Sequence, residues 1–341
     1  MRFGLAYDFR NPEQWRLPWP QFYGAVLDQI VYAEQLGFDS VWLTEHHFVA
    51  DGYLPASLAI AAAIAARTSR IRIGTFILEL PLYHAAQVAE QVAVIDQLSG
   101  GRIELGLGMG YREEEFRAFG VPRKQRVGRF VEGIHVLRAL FGGGPVTHRG
   151  RYYELDGVQL GPPPAQLGGP PMWLGAMSVP QAQRAAALRA NLMPQGDRRE
   201  TYDPWHEALA ASGEDPTDYR VLVNRPFMVT DDPGRAWQRL RPGEAYRAGL
   251  YAEWLNAGGQ PPVRPTQPEG SAVVPVLEGR YLLGTPQHIV AEIRTYRERV
   301  PVTDLIAWGV PLGLRPDDPE LMLSLEQFSQ EVIPTLAPRP G

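Results

Sequence analysis

The residues with the clearest chemical potential are Glu45, His46 and His47, which follow the apolar run at residues 41–43. The ordinary pKa of histidine lies close to neutral pH, so its ring is well suited to general acid or base catalysis. Adjacent residues of an extended chain point to opposite sides, and the i, i+4 spacing of helical zinc sites is missing. The run therefore favours one histidine that faces a site, with its neighbour turned outward, over a pair that shares a metal ion. We expect no metal.

A glycine-rich run at residues 106–111, GLGMGY, suggests a nucleotide-binding loop as a second possibility. The third glycine of a dinucleotide-binding motif would fall on Tyr111, and the run does not open a β-α-β unit. Glycine at a strand end also lets a large flat ligand approach the backbone, and we favour that interpretation. Because the sequence has neither a G-x-S-x-G elbow nor a P-loop, a serine hydrolase or a nucleotidase is not indicated.

The composition narrows the class of protein. The chain has 341 residues, of which 45% are hydrophobic, and a formal net charge of -5, which is typical of a globular protein and not of a nucleic-acid-binding one. It has no cysteine, which excludes disulfides, thiolate metal sites and cysteine nucleophiles. No apolar run is long enough to span a membrane, and no signal sequence is apparent. We therefore expect a soluble, cytoplasmic protein that binds neither nucleic acid nor a membrane.

The elements that must position these residues alternate between short apolar runs and helical patterns. Runs that are apolar on both faces indicate a parallel sheet covered by helices. Eight such units close into a (β/α)8 TIM barrel, in which functional groups lie at the carboxyl ends of the strands. We predict an α/β fold of this type, with strands at about 3–9, 40–46, 71–80, 102–110, 172–177, 191–196, 220–229 and 303–310.

We expect a single domain over residues 1–341, interrupted by two irregular segments. Residues 142–171 are rich in Gly and Pro and contain an alternating pattern typical of a hairpin, which predicts an insertion too short to form its own core. Residues 258–275 are also rich in Gly and Pro, and they predict a mobile loop over about 258–280.

Several segments occur in an order typical of one enzyme family, among them FDSVWLTEHHF, IDQLSGGRIELGLG and MWLGAMS at residues 38–48, 95–108 and 172–178. On these segments the chain resembles the bacterial luciferase-like flavin-dependent monooxygenases along almost its whole length. The resemblance implies a barrel, commonly a homodimer, that binds FMN reduced by a separate flavin reductase. It also implies that the reduced flavin reacts with O2 to give a flavin hydroperoxide, which oxygenates a small organic substrate.

The resemblance assigns roles to individual residues. His46 matches the catalytic histidine of the family, and Phe76 and Ile77 match a pair whose cis peptide bond supports the flavin ring. Arg126, or less directly Arg129, matches an arginine that pairs with the flavin phosphate. The remaining cofactor-binding positions lie at the ends of the fourth and fifth predicted strands: Gly108, Met109, Gly175, Ala176, Met177 and Ser178.

Three of these positions depart from the luciferase pattern. Gly108 stands where true luciferases have a reactive cysteine, which argues against light emission. Met109 replaces a phosphate-binding arginine and Ala176 replaces an acidic residue, so fewer phosphate partners remain.

Three functions fit these residues. The first is a reduced-FMN monooxygenase acting on a small, mostly apolar molecule, with a mouth lined by Phe9, Trp15, Phe48, Tyr53, Tyr83 and Trp308. The alternative is a hydride-transferring oxidoreductase of the same fold that uses the deazaflavin coenzyme. The third is a non-catalytic flavin-binding protein, against which the complete TEHHF motif weighs.

Overall fold

Strands and helices alternate along the chain in the computed structural model, which describes residues 1–194, 199–257 and 279–337. The strands are β1 (Arg2–Tyr7), β2 (Ser40–Leu43), β3 (Arg72–Thr75), β4 (Leu78–Glu79), β5 (Ile103–Gly108), β6 (Val146–Arg149), β7 (Glu154–Val158), β8 (Met172–Ala176), β9 (Asn191–Pro194), β10 (Leu222–Asn224), β11 (Phe227–Val229), β12 (Leu282–Gly284) and β13 (Asp304–Trp308). The α-helices are α1 (Trp19–Leu36), α2 (Ser57–Arg67), α3 (Ala85–Ser99), α4 (Glu113–Ala118), α5 (Arg126–Phe141), α6 (Val179–Ala187), α7 (Arg199–Ala211), α8 (Pro233–Ala257), α9 (Pro286–Arg299), α10 (Pro319–Gln327) and α11 (Ile333–Leu336).

The parallel strands form a barrel that is almost closed. Their order is β10-β13-β1-β2-β3-β5-β8-β9, and a parallel bridge between Leu192 and Val221 joins the two ends. Helices lie between successive strands, as a crossover between parallel strands requires. The predicted (β/α)8 barrel of the α/β class is therefore confirmed.

Three predicted strands differ from the structure. The strand predicted at 40–46 ends at Leu43, so the TEHH run occupies the loop at its carboxyl end. The strand predicted at 71–80 is divided into β3, which pairs with β2 and β5, and the short β4, which pairs with β5 alone. The strand predicted at 220–229 is divided at Pro226, which has no backbone N–H for the ladder. Strand β10 stays in the barrel, while β11 pairs with β12.

The two segments predicted to be irregular contribute no strand to the barrel among the described residues. Within residues 142–171, β6 and β7 form an antiparallel hairpin, as the alternating pattern predicts. Of the loop predicted at about 258–280, residues 258–278 lie outside the described residues. Within the described ranges, each helix is too short or too polar to cross a membrane.

The interior of the barrel is divided into an apolar layer and a charged layer. Trp42 and Trp173 pack edge to face, with ring centroids 5.4 Å apart, among side chains of neighbouring strands. At the amino end of the barrel, the buried Glu104 accepts hydrogen bonds from the indole of Trp173 and from Arg220. These layers fill the barrel, and its carboxyl end is left to hold the functional site.

Close packing between β3 and β5 leads to a prediction. A Cβ at Gly106 would lie 1.9 Å from the carbonyl oxygen of Thr75, whose hydroxyl donates to the Gly106 carbonyl. Gly106→Ala should lower the free energy of unfolding by about 1–3 kcal/mol in urea denaturation, because the two strands must separate. Gly24→Ala is the control: nothing lies within 4 Å of its Cβ position in α1, so helix propensity should raise stability by about 0.5–1 kcal/mol. Equal effects of the two variants would contradict this packing.

Candidate active site

His46 lies in the loop after β2, at the carboxyl end of the barrel, where its backbone N–H donates to the Leu54 carbonyl. Its ring is buried and both ring nitrogens have polar neighbours. Nδ1 lies 3.0 Å from Oε1 of Glu115, and Nε2 lies 3.3 Å from the hydroxyl of Tyr111. The ring is thus held from two sides, with one nitrogen toward the protein interior and the other toward the mouth of the barrel.

Glu115, in the first turn of α4, is the group that orients His46. Its side chain is fully buried, and Oε1 accepts hydrogen bonds from His46 Nδ1, from the backbone N–H of His47 and from Arg112. Burial raises the pKa of Glu115, but the hydrogen bond with His46, the positive charge that His46 carries at low pH, the hydrogen bond from His47 and the charge of Arg112 outweigh it and bring the pKa to about 2. Glu115 is therefore ionised at neutral pH.

The ionised Glu115 decides the protonation of His46. A carboxylate can only accept, so Nδ1 of His46 must carry the hydrogen of this bond. Burial lowers the pKa of His46, and the hydrogen bond with Glu115 and its negative charge oppose that effect without reversing it. His46 is therefore neutral at pH 7, and its Nε2 has a lone pair that accepts a hydrogen bond from Tyr111 and can act as a base.

Aromatic rings enclose His46 on the side of the mouth. The ring centroids of Tyr53, Trp254, Tyr111 and Tyr251 lie 4.9, 5.0, 5.4 and 6.2 Å from that of His46. Tyr251 and Trp254 are three residues apart and lie on one face of α8. Sequence reasoning named Tyr53 but missed the other three, although the i, i+3 aromatic spacing of Tyr251 and Trp254 was a usable signal.

The other predicted mouth residues are spread more widely. Tyr83 donates to Glu45, Trp15 packs against Tyr246, and Trp308 lies 4.1 Å beneath the guanidinium of Arg247. Phe48 is 66% exposed, so it does not close the mouth.

His47 turns away from His46 but is not turned outward to solvent. It is buried, its ring packs 4.8 Å from that of Phe119, and its Nε2 lies 3.4 Å from Oε1 of Glu45. The expectation of an outward neighbour is therefore corrected, because the aromatic side chains after it cover the ring. The two histidines face different carboxylates and do not converge on one position.

Two further carboxylates lie close to His46. Glu45 accepts from the hydroxyls of Ser57 and Tyr83 and from the backbone N–H of Glu79. The carboxyl group of Glu79 has its Oε1 3.6 Å from His46 Nδ1. Burial, followed by the nearby charges of Glu115 and Glu45, raises the pKa of Glu79 well above its ordinary value.

Ligand atoms of His46, Glu79 and Glu115 all lie within 4.8 Å of one another, a donor set that could in principle hold a cation. Glu115 Oε1 already accepts from three N–H groups, and Arg112 supplies a positive charge at this oxygen. We therefore interpret the cluster as a hydrogen-bond network. That the protein acts without a metal ion stays a prediction.

The residues predicted beneath the flavin ring form the floor of the mouth. The Phe76–Ile77 peptide bond is cis, as the resemblance implied. The Ile77 side chain lies across Gly108 and Gly175, where a Cβ would come within 2.0 and 2.9 Å of its Cδ1. Phe76 and Ile77 are half-buried and pack on the apolar interior of the barrel. The result is an apolar surface at the end of the barrel that also carries His46.

The predicted phosphate-binding residues lie at one end of the barrel. Ala176 ends β8, Met177 is partly exposed, and Ser178 is the N-cap of α6, with no capping hydrogen bond from its side chain. Arg126 begins the neighbouring helix α5. Arg138 near the end of α5 donates to the Leu188 carbonyl just after α6, so the two helices approach each other at their C-terminal ends.

Arg184 is a functional candidate that sequence reasoning missed. From α6 its Nη1 reaches to 3.7 Å from the sulfur of Met109, one of the predicted phosphate positions. Within the described ranges, no carboxylate lies at ion-pair distance from Arg184. In the sequence, an arginine in an alanine-rich helix is typical of a solvated side chain. Only the contact of Arg184 with Met109, just after β5, shows that the side chain points toward the end of the barrel.

The sequence profile of the luciferase-like monooxygenases matches residues 1–303. The chain belongs to this family. Among curated relatives, protein y4vJ of Sinorhizobium fredii is 31% identical over 212 residues, 60% of this chain and 60% of that protein. The chain thus spans less than two thirds of that relative's length.

Two other relatives have different chemistry. The 4-hydroxyprotoasukamycin monooxygenase of Streptomyces nodosus subsp. asukaensis is 26% identical over 287 residues, 80% of this chain and 76% of that one. The F420-dependent glucose-6-phosphate dehydrogenase of Beutenbergia cavernae is 34% identical over 216 residues, 60% and 62% of the two chains. By their names, one is a monooxygenase and the other an F420-dependent dehydrogenase, and both are oxidoreductases.

Solved structures show the same fold. Monooxygenase RslO1 from Streptomyces bottropensis has a TM-score of 0.82 at 23% identity and covers 99% of this chain and 100% of its own. An F420-dependent secondary alcohol dehydrogenase in complex with an F420-acetone adduct has a TM-score of 0.76 at 20% identity, with 97% of each chain covered.

The low pKa of Glu115 leads to a prediction about stability. An unfolded glutamate has a pKa near 4.3, so ionised Glu115 contributes roughly 3 kcal/mol of folding free energy at neutral pH, lost as pH falls toward 2. Glu115→Gln should therefore lower the free energy of unfolding by about that amount at neutral pH, and by less below about pH 4.

Glu114→Gln is the matched control in urea denaturation. Glu114 also pairs with Arg112, but its side chain is 67% exposed, so the loss should be about 0.5 kcal/mol or less. A loss for Glu115→Gln that is no larger than that of Glu114→Gln would show that the carboxylate does not stabilise the folded site.

Proposed function

We propose that the protein is a monooxygenase that uses reduced FMN and O2 to oxygenate a small, mostly apolar organic substrate. The observation that carries this proposal is the position of His46, a neutral base whose Nε2 faces aromatic rings at the carboxyl end of the barrel, the end that also carries the apolar surface of Ile77. When bound, reduced flavin supplies the electrons and activates O2. The side chains at the mouth then have to orient the ring, exclude water and move protons.

The floor and the mouth fit a flavin-type ring. Phe76 and Ile77 offer an apolar surface for one face of an isoalloxazine ring, and the lack of a Cβ at Gly108 and Gly175 leaves room for the Ile77 side chain. Tyr53, Tyr251 and Trp254 line the side where a small apolar substrate would meet the ring. Exclusion of water by these rings strengthens each electrostatic interaction at His46.

The phosphate of FMN would lie near Ser178, at the N-terminus of α6, with Arg126 and Arg184 as its cationic partners. A helix N-terminus favours an anion because its first N–H groups are unpaired and its dipole is positive there. The approach of Arg184 to Met109 supports this assignment, since Met109 itself carries no charge for a phosphate.

His46 would act at Nε2 as the base that accepts a proton from a bound hydroxyl or from the reacting complex. The resulting positive ring would lie 3.0 Å from ionised Glu115, which stabilises it and keeps its orientation. The same group could serve a second candidate function, hydride transfer with the deazaflavin coenzyme. The F420-dependent dehydrogenase of Beutenbergia cavernae, 34% identical over 216 residues, favours that candidate.

The wider organisation belongs to the same proposal. We propose a single-domain chain that acts as a homodimer in the cytoplasm and receives reduced FMN transiently from a separate flavin reductase. A non-catalytic flavin-binding role is less well supported, because it has no use for a buried carboxylate that orients a histidine toward the mouth.

The cofactor is tested by anaerobic titration with reduced FMN and with reduced deazaflavin coenzyme, followed by mixing with O2. Reduced FMN should bind at least about tenfold more tightly, a difference of about 1.4 kcal/mol. His46→Gln should leave that affinity nearly unchanged and should lower the rate of O2 consumption by bound flavin by about 100-fold or more. His47→Gln is the comparison variant. Tight binding of the deazaflavin coenzyme alone would reject the monooxygenase, and equal effects at His47 would reassign the catalytic histidine.

The role of Arg184 is tested by comparing FMN with riboflavin, which has the same ring and no phosphate. Arg184→Gln should weaken FMN binding by about tenfold or more and leave riboflavin affinity unchanged, because a charged hydrogen bond to phosphate is worth about 1.5–3 kcal/mol. Arg189→Gln, which removes a surface pair with Glu214 close to the same helix, should change neither affinity. Equal weakening of FMN and riboflavin by Arg184→Gln would contradict a phosphate contact.

A further inference from the structure

The carboxyl groups of Glu79 and Glu115 are an arrangement that the proposed function does not yet use. Both side chains are buried, and each has one oxygen, Oε2, that lacks a hydrogen-bond partner among the described residues. Carboxylate oxygens of the two groups lie within 4.8 Å of each other, so a proton on one of them can be directed to the other. Two ionised carboxylates in such a position would repel each other in a medium where burial already disfavours charge.

We propose that Glu79 and Glu115 form a carboxyl pair that shares one proton, and that Glu79 acts through Glu115 as a positioning residue that keeps His46 a neutral base. The inference rests on the proposed function only in taking His46 as the catalytic group. Two ionised carboxylates have no hydrogen to donate to each other. A protonated Glu79 has an O–H group, which can donate a hydrogen bond to Glu115. With this one proton, the pair of Glu79 and Glu115 carries a single negative charge.

The charged and titratable groups around Glu79 explain why the proton belongs there. Glu115 is compensated by Arg112, and Glu45 is held by the hydroxyls of Ser57 and Tyr83. The groups that face Glu79 from the elements packed against it are Glu45 and His46 after β2, Tyr83 before α3, and Tyr111, Arg112 and Glu115 at α4. The raised pKa of Glu79, caused first by burial and then by Glu115 and Glu45, agrees with this distribution.

A second negative charge at Glu79 would change the chemistry of His46. Its Oε1 lies 3.6 Å from His46 Nδ1, so an ionised Glu79 would favour a protonated, positively charged ring. A protonated ring has no lone pair at Nε2 and cannot accept a proton. Protonated Glu79 therefore sets the lower pH limit for His46 as a base, because without a second negative charge the ring stays neutral as pH falls.

The proton transfer itself needs only groups that are present. When His46 takes a proton, the Nε2–H bond forms and the bond between hydrogen and the donating group breaks. The positive charge of the ring then faces ionised Glu115, while the proton of Glu79 stays in place. Release of the Nε2 proton to product or water restores the neutral ring, and nothing is oxidised or reduced in this step.

The test compares the protein without added cofactor with its Glu79→Gln variant. Infrared spectra at neutral pH should show the carbonyl stretch of a protonated carboxylic acid in the original protein and its loss in the variant. Above about pH 4.3 an unfolded chain ionises Glu79 while the folded protein keeps it protonated, so rising pH favours unfolding. Glu79→Gln should remove this effect and raise Tm at neutral pH by roughly 3 °C, with no gain at about pH 4.

Glu115→Gln gives the opposite sign at neutral pH, since it removes an ionised group, and so serves as the internal comparison. In turnover, Glu79→Gln should leave the acid fall in activity at the same pH, because both side chains are neutral there, whereas replacement of an ionised Glu79 would move that fall to lower pH, a shift that a merely structural role would not produce. The proposed pair would be overturned if the original protein and Glu79→Gln gave the same infrared signal in the carboxylic acid region and the variant had a lower Tm at neutral pH. That result would mean that Glu79 is ionised in the folded protein. The infrared and Tm results need no flavin, so they stand or fall separately from the proposed cofactor.

Discussion

The bond between Glu115 and His46 is the interaction on which the rest of the site depends. A fully buried carboxylate is tolerated here because three N–H groups converge on one of its oxygens. One of these donors is the ring of His46 and another is the backbone of His47, so the same charge fixes the side chain and the loop that carries it. The barrel supplies the frame, since the loop after β2 and the helix α4 after β5 both lie at its carboxyl end.

The remaining features of the mouth follow from that anchor. Since Nδ1 is committed to the interior, Nε2 must face Tyr111 and the aromatic rings of α8. The apolar surface of Phe76 and Ile77 is built on the apolar barrel interior, at the end of the barrel that carries His46. A carboxylate-oriented histidine beside an apolar ledge serves either oxygenation or hydride transfer, which is why members with both chemistries can share one fold.

The barrel could be predicted from sequence because its strands are apolar on both faces and alternate with helical patterns. Strand interruptions were harder to predict, as at Pro226, where one apolar run serves two sheets. His46 could be proposed from its residue type and from the family resemblance. Its partner Glu115 could not, because it lies 69 positions away and is one of three consecutive glutamates that look alike in sequence. Only packing shows that Glu113 and Glu114 are exposed while Glu115 is buried.

The most direct test is the 15N NMR spectrum of histidine-labelled protein, with the His46 signals assigned through His46→Gln. The account predicts a neutral ring at pH 7, with hydrogen on Nδ1 and a lone pair on Nε2, and a pKa of His46 below the ordinary value of histidine. A His46 ring that titrates near 6.5, the ordinary pKa of histidine, or that carries its hydrogen on Nε2, would contradict it.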